Sequence, residues 1–171
     1  EKTNQMIGAG SLEFLDEYIF EPSNLSAERQ TSLRDHFFRQ LVPLDDSGND
    51  RSYHPHFRAW NFDDLAIPNA FALPSGDIVL TDKFVELSEN QDQIDAILLH
   101  EIGHVVHRHS LQTVIEGTLV AAVVMLATGD NTMIADMGLG VGSVLASSYY
   151  SRNHEEEADS YAYLCPRCSE T

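Results

Sequence analysis

Residues 97–110 read ILLHEIGHVVHRHS, four histidines and one glutamate inside an otherwise apolar stretch. At about 3.6 residues per helical turn, His100 and His104 stand one above the other on a single face, so two imidazoles can converge on one point. Glu101 lies beside them. This is the H-E-x-x-H pattern, in which two neutral imidazoles bind Zn²⁺ and the carboxylate serves as general base toward a water. Ile94, Ile97, Leu98, Val105 and Val106 surround the pair, and a buried imidazole without a partner is costly, so ligation explains them better than ordinary core packing. His107 and His109 read as surface or satisfied core histidines. Gly103 costs about 1 kcal/mol relative to alanine inside a helix, which predicts close packing of another backbone there.

Working outward, the motif helix is expected from about Asp92 to His109, preceded by a short helix over Asp82 to Ser88. NAFALPSGDIVLT (69–81) reads as two extended pieces joined by a turn at Pro74-Ser75-Gly76-Asp77. HFRAWNF (56–62) is strand-like, and PLDDSGNDRSYHP before it is loop by composition. Further upstream, helices are expected over residues 11–20, with Leu12, Leu15 and Ile19 at helical spacing, and over Ser26 to Leu41, with Leu33, Phe37 and Leu41 facing inward. The sheet is therefore expected to be small and largely antiparallel. On the C-terminal side, the apolar segments 117–128 and 137–146 are short of the ~20 residues a membrane span requires and are broken by charges or glycines. They could line a cleft, plug it or touch lipid.

SRNHEEEADSYAYL (151–164) supplies a third ligand. Ser151 can cap a helix starting near Arg152, and Glu155, Glu156 and Glu157 then point about 100° apart. Glu155 and Asp159 share a face, which makes Glu155 the candidate third ligand and Asp159 a candidate acceptor for a ligand histidine N–H. Glu156 and Glu157 read as solvated acids favoured by the helix dipole.

The 171 residues suit one domain with a core large enough to need no disulfides. A net charge of −17 with only ten basic residues excludes a nucleic-acid binder, which must neutralise phosphates, and excludes docking on anionic lipid through a basic patch. Cys165 and Cys168 form a single C-x-x-C in a tail, residues 165–171, that has no assigned role. Residues 1–164 are taken as one catalytic domain.

With NAFALPSGDIVLT, HEIGHVVHRHS and SRNHEEEAD in that order, the chain resembles the zinc metallopeptidases of family M48, which include HtpX, the CAAX prenyl endopeptidases and the periplasmic BepA-like proteases. The resemblance covers about residues 65 to 163 and is closest in character to the soluble, envelope-facing members. It implies an α+β fold, a mainly helical gluzincin-type metallopeptidase core with a small sheet. It implies one Zn²⁺ per chain on His100, His104 and Glu155, with Glu101 as base, Asp159 behind a ligand histidine and Arg152 orienting site carboxylates. It further implies a polypeptide substrate held along a strand edge at the rim of the cleft, supplied by Ala70, Phe71, Ala72 and Leu73 or by Ile78, Val79 and Leu80. Unfolded or misassembled polypeptides at the cell envelope, with peripheral membrane association, are the expected setting, and the chain is expected to be the catalytic core of a longer protein. The alternative is a latent or inactive zinc-bound, chaperone-like interaction module, completed by a fourth protein ligand such as His107 or His154; a domain with no metal is the third reading.

Overall fold

The structure is a computed structural model that describes residues 11–45, 51–115 and 151–163. The apolar segments 117–128 and 137–146 and both cysteines lie outside the described residues.

Residues 11–18 are helical (α1) and lead into strand β1, Phe20–Pro22. Ser26 caps α2, Ala27–His36, by accepting from the Arg29 N–H at 3.1 Å. The helix continues as a π-turn over Phe37–Leu41. Leu33, Phe37 and Leu41 are four apart, a spacing that drifts around a regular helix; the wider turn cancels the drift and all three are buried.

The sheet is small and mixed. Strands β2 (His54–Phe62), β3 (Leu65–Ala66), β4 (Ala70–Ala72) and β5 (Asp77–Thr81) join β1 in the order β1-β2-β5-β4, with β3 also pairing with β2. Three pairings are antiparallel, as expected, but the central one, His54↔Asp77 through Arg58↔Thr81, is parallel. Asp63 and Asp64, both with positive φ, make the two-residue turn between β2 and β3. Gly76, at φ +91°, makes the turn from β4 to β5, where a Cβ would meet the Ser52 carbonyl oxygen at 2.2 Å.

Because β5 sits between β2 and β4, every one of its residues is buried. One face of the sheet, through Phe57, Ala72, Ile78 and Leu80, packs on Leu33, Phe37, Ile94, Leu98 and Ile102 from the helices. The other face, through Phe20, Phe71 and Val79, packs on Leu15 and Val114. Thr81 ends β5 and caps α3, Asp82–Leu87, and Asn90 then caps the long helix α4, Gln91–His107. Residues 109–115 are helical again (α5), and α6 spans Arg152–Tyr163.

Candidate metal centre

The core dictates where α4 points its polar residues. Ile94, Leu98, Leu99 and Ile102 are buried against the sheet and the helices, and this face fixes the helix rotation that carries His100, Glu101 and His104 to the cleft rim. The helix ends earlier than its pattern predicts. Arg108 adopts the left-handed conformation (φ 60°), and its N–H caps the carbonyls of His104 and Val105.

Helix α6 is brought against α4 at Gly103. A Cβ there would lie 3.0 Å from Ala158 Cα and 3.2 Å from its carbonyl oxygen, so the expected close approach of a second backbone is made by the alanine of SRNHEEEAD. Ser151 Oγ accepts from the His154 N–H at 3.3 Å and caps the helix. The Tyr161 hydroxyl reaches Asp45 Oδ1 at 3.2 Å.

This docking makes three donors converge. His100 Nε2 and His104 Nε2 are 2.9 Å apart, and the Glu155 carboxylate lies 3.4 Å from the first and 3.7 Å from the second. Ligands about 2.0–2.1 Å from a tetrahedral ion stand about 3.3 Å from each other, so these separations bracket what a zinc-sized ion requires. The remaining nitrogens are engaged: His100 Nδ1 with Asp159 Oδ1 at 2.9 Å, and His104 Nδ1 with His109 Nδ1 at 2.9 Å. Burial, then the neighbouring His100, pushes His104 down from 6.5 to about 3, so it is a neutral imidazole at neutral pH, the form a metal binds.

Glu101 is buried, and burial together with the Glu155 charge raises its carboxyl from 4.5 to about 8, against the Ala72 N–H that hydrogen bonds to it. Its Oε2 has no hydrogen-bond partner among the described residues. An unpaired buried carboxylate oxygen is costly unless something is meant to meet it. Glu101 lines a cleft of about 350 Å³ together with His100, His104 and Glu155 from the helices and Pro68, Asn69 and Ala70 from the strand side.

Of the two segments expected to offer a strand edge, only one has it. Ile78, Val79 and Leu80 are paired on both sides, to β2 and to β4, so they back the rim and cannot take a peptide. Strand β4 is the outer strand. Leu73 N–H bonds to Asp77 O and Thr81 N–H to Asn69 O, so by the alternation of an antiparallel pair Ala70 and Ala72 turn their N–H and C=O away from β5. Ala72 is already used: Ser110 Oγ donates to its carbonyl at 2.7 Å and its N–H serves Glu101. That leaves Ala70 as the outward position on the cleft. Phe71 and Leu73 are fully buried.

Arg152 is exposed and makes no hydrogen bond or ion pair to a described residue. Two residues that sequence reasoning set aside do reach the centre. His109 is fully buried against His104, and Glu157 Oε2 lies 3.0 Å from His109 Nε2; that contact, foremost, holds the Glu157 carboxyl below its usual range. On a continuous helix a five-residue spacing puts His109 about 140° from His104. The left-handed Arg108 turns it back.

A family model described as Peptidase family M48 matches residues 39–168, more than half of the chain. The chain is 32% identical over 95 residues to the mitochondrial metalloendopeptidase OMA1 of Schizosaccharomyces pombe, covering 54% of this chain and 27% of that protein. It is 28% identical over 114 residues to the beta-barrel assembly-enhancing protease of Escherichia coli, covering 61% and 23%. Over 99 residues it is 29% identical to the metalloprotease LoiP of Escherichia coli, covering 56% and 39%. The chain therefore spans about a quarter to two-fifths of the length of these curated relatives. Among the described residues, no helix is long and apolar enough to cross a membrane.

Proposed function

The chain belongs to peptidase family M48, and on that premise we propose that it is a zinc-dependent endopeptidase, with one Zn²⁺ per chain held by His100, His104 and Glu155 and with Glu101 as general base. The observation that carries the proposal is the convergence of two imidazole Nε2 atoms and one carboxylate within 3.7 Å of each other, beside a buried carboxylate oxygen that lacks a partner. A bound zinc ion supplies Lewis acidity there, lowering the pKa of water to about 7 and polarising the scissile carbonyl.

The chain's own residues do the rest. A cation on the three ligands would oppose the burial and the Glu155 charge that keep Glu101 protonated; ionised, Glu101 takes a proton from the attacking water and delivers it to the departing amine, while the Ala72 N–H holds the carboxylate in place. Asp159 accepts from His100 Nδ1–H and His109 accepts from His104 Nδ1–H, so each ligand's Nε2 lone pair faces the metal. A purely structural zinc site prefers four protein ligands and needs no base, so the unpaired Glu101 oxygen favours hydrolysis over a silent interaction module.

The substrate is an extended polypeptide that pairs its backbone with Ala70 on the outer side of β4. Unfolded or misassembled chains at the cell envelope offer such a backbone without a fixed sequence. Residues 1–164 form the catalytic domain of this reading, acting as part of a longer protein with peripheral contact to a membrane.

The test is elemental analysis of the purified protein together with cleavage of an unstructured peptide, with and without chelator. About one zinc per chain, lost with activity in His104→Ala, is the expected result; full zinc in His104→Ala would end the proposal. Peptides N-methylated singly around the scissile bond should lose cleavage at alternate positions, because successive strand N–H groups point to opposite sides. If no methyl outside the scissile amide matters, a side-chain pocket and not the strand edge sets recognition.

A further inference from the structure

Just beyond the ligand histidines, where α4 gives way to α5, a second set of donors gathers against α6. We propose that His107, His109 and Glu157 form a second divalent-cation site, and that an ion there weakens the first site and so inhibits the enzyme.

The donor atoms of the three residues all lie within 4.8 Å of one another. His109 Nε2 is 3.0 Å and His107 Nδ1 3.8 Å from Glu157 Oε2, on either side of the roughly 3.3 Å separation of ligands around a tetrahedral zinc ion. Two imidazoles and one carboxylate are a donor set that suits zinc and its neighbours in the first transition row. Access is open, since His107 and Glu157 are both exposed. His109 is fully buried, and His154 stacks on it with ring centroids 4.3 Å apart.

The antagonism follows from counting protons on His109. When His104 gives its Nε2 lone pair to the first ion, its Nδ1 carries a hydrogen, which is donated across 2.9 Å to His109 Nδ1. His109 must then hold its own proton on Nε2, where it is donated to Glu157 at 3.0 Å. A cation on His109 Nε2 needs the lone pair at that atom. The proton then moves to His109 Nδ1, and two N–H groups confront each other across the 2.9 Å contact. His104 therefore loses the acceptor that orients it, and partners of this kind are worth about 10–100-fold in metal affinity. By linkage, a filled first site weakens the second by the same factor. The second site stands on its own donors; only the antagonism rests on the reading of His104 as a ligand.

The experiment is equilibrium dialysis of the 171-residue chain against increasing Zn²⁺, with peptide turnover followed in parallel. Wild type should take up a second equivalent at a concentration well above that needed for the first, and turnover should fall as it binds. His107→Ala and His107→Gln should keep the first equivalent and the basal turnover, lose the second equivalent, and withstand the excess zinc. In wild type, filling the second site should lower the affinity of the first by about tenfold, read by exchange of the bound ion against a chelating dye. A single equivalent in wild type, or two equivalents with unchanged inhibition in both His107 variants, would overturn the second site. A second equivalent that leaves the first affinity untouched would overturn the antagonism. Failure of the zinc-enzyme reading itself is separately visible, as a first equivalent that persists in His104→Ala.

Discussion

Helices α4 and α6 meet at the candidate metal centre but are built on opposite principles. Helix α4 buries seven of its residues, Glu101 and His104 among them, and its rotation is set by contacts to the sheet and to α2. Helix α6 buries only Ala158; it is held by the contact at Gly103, by the Tyr161 hydroxyl and by what its carboxylates touch. The inner half of the site is thus preformed by the core, whereas the outer half rests on the contacts that α6 makes along α4 and on the partly buried Tyr161 and Ala162. Damage at Glu101 should affect chemistry, and damage to the seat of α6 should affect metal affinity.

The largest expected effect lies on α4. Glu101→Gln keeps shape but removes the proton acceptor, so turnover should fall by about 10²-fold or more with zinc content near wild type. Equal turnover in the two proteins would remove Glu101 from the base role.

Next comes the junction. Gly103→Ala places a methyl 3.0 Å from Ala158 Cα, where neither backbone can easily yield, and overpacking of this kind costs about 1–3 kcal/mol. Zinc affinity, measured by chelator competition, should drop by about 10- to 100-fold as α6 moves outward with Glu155. Unchanged affinity would mean that α6 is held elsewhere.

The metal-free protein sharpens the contrast through pH. Glu101 retains its proton to about pH 8 in the fold against 4.5 outside it, and so loses stability as pH rises through that interval. His104 resists its proton down to about 3 against 6.5, and so loses stability as pH falls. Between about 4.5 and 6.5 the two slopes offset each other, leaving a plateau, and from 6.5 to 8 only the Glu101 slope remains, about 2 kcal/mol in all. Thermal melts of chelated protein should show that alkaline fall, and Glu101→Gln should abolish it. A fall of the same size in the variant would assign it to other groups.

The smallest effect belongs to the exposed end of α6. Asp159 is 73% exposed at its side chain, so Asp159→Asn should weaken zinc binding by about tenfold, the low end for a ligand's hydrogen-bond partner, with turnover at saturating zinc near wild type. No change in affinity would show that His100 is oriented without that charge.

Much of α4 was legible because burial and chemistry share one period there: Ile94, Leu98 and Ile102 recur on one face, and His100 and His104 recur at the same spacing on another. Gly103 was legible as a cost needing a reason, and the backbone of Ala158 is the reason. Glu155 and Asp159 followed from four-residue spacing once a helix start was placed at Ser151. What was not legible depends on a backbone choice that spacing does not encode. Nothing in Arg108 marks a left-handed residue, so His109 read as ordinary and Glu157 as solvated. The parallel pairing of β2 with β5 is a long-range arrangement, and with it went the recognition that Ile78 to Leu80 cannot be an edge. The uninterrupted Ile-Val-Leu run was the available sign, since a strand covered on both faces reads as a continuous apolar run.

The approach of Gly103 to Ala158 has one more consequence, for which ion the centre prefers. Donor separations of 2.9, 3.4 and 3.7 Å suit metal bonds of about 2 Å. The thickness of the helix contact sets the last two of these, because Glu155 rides on α6. On the proposed ligand set, two residues with almost no side chain would therefore act as a size gauge: with a bulkier pair the ring of donors would widen, and preference would shift toward cations that form longer bonds.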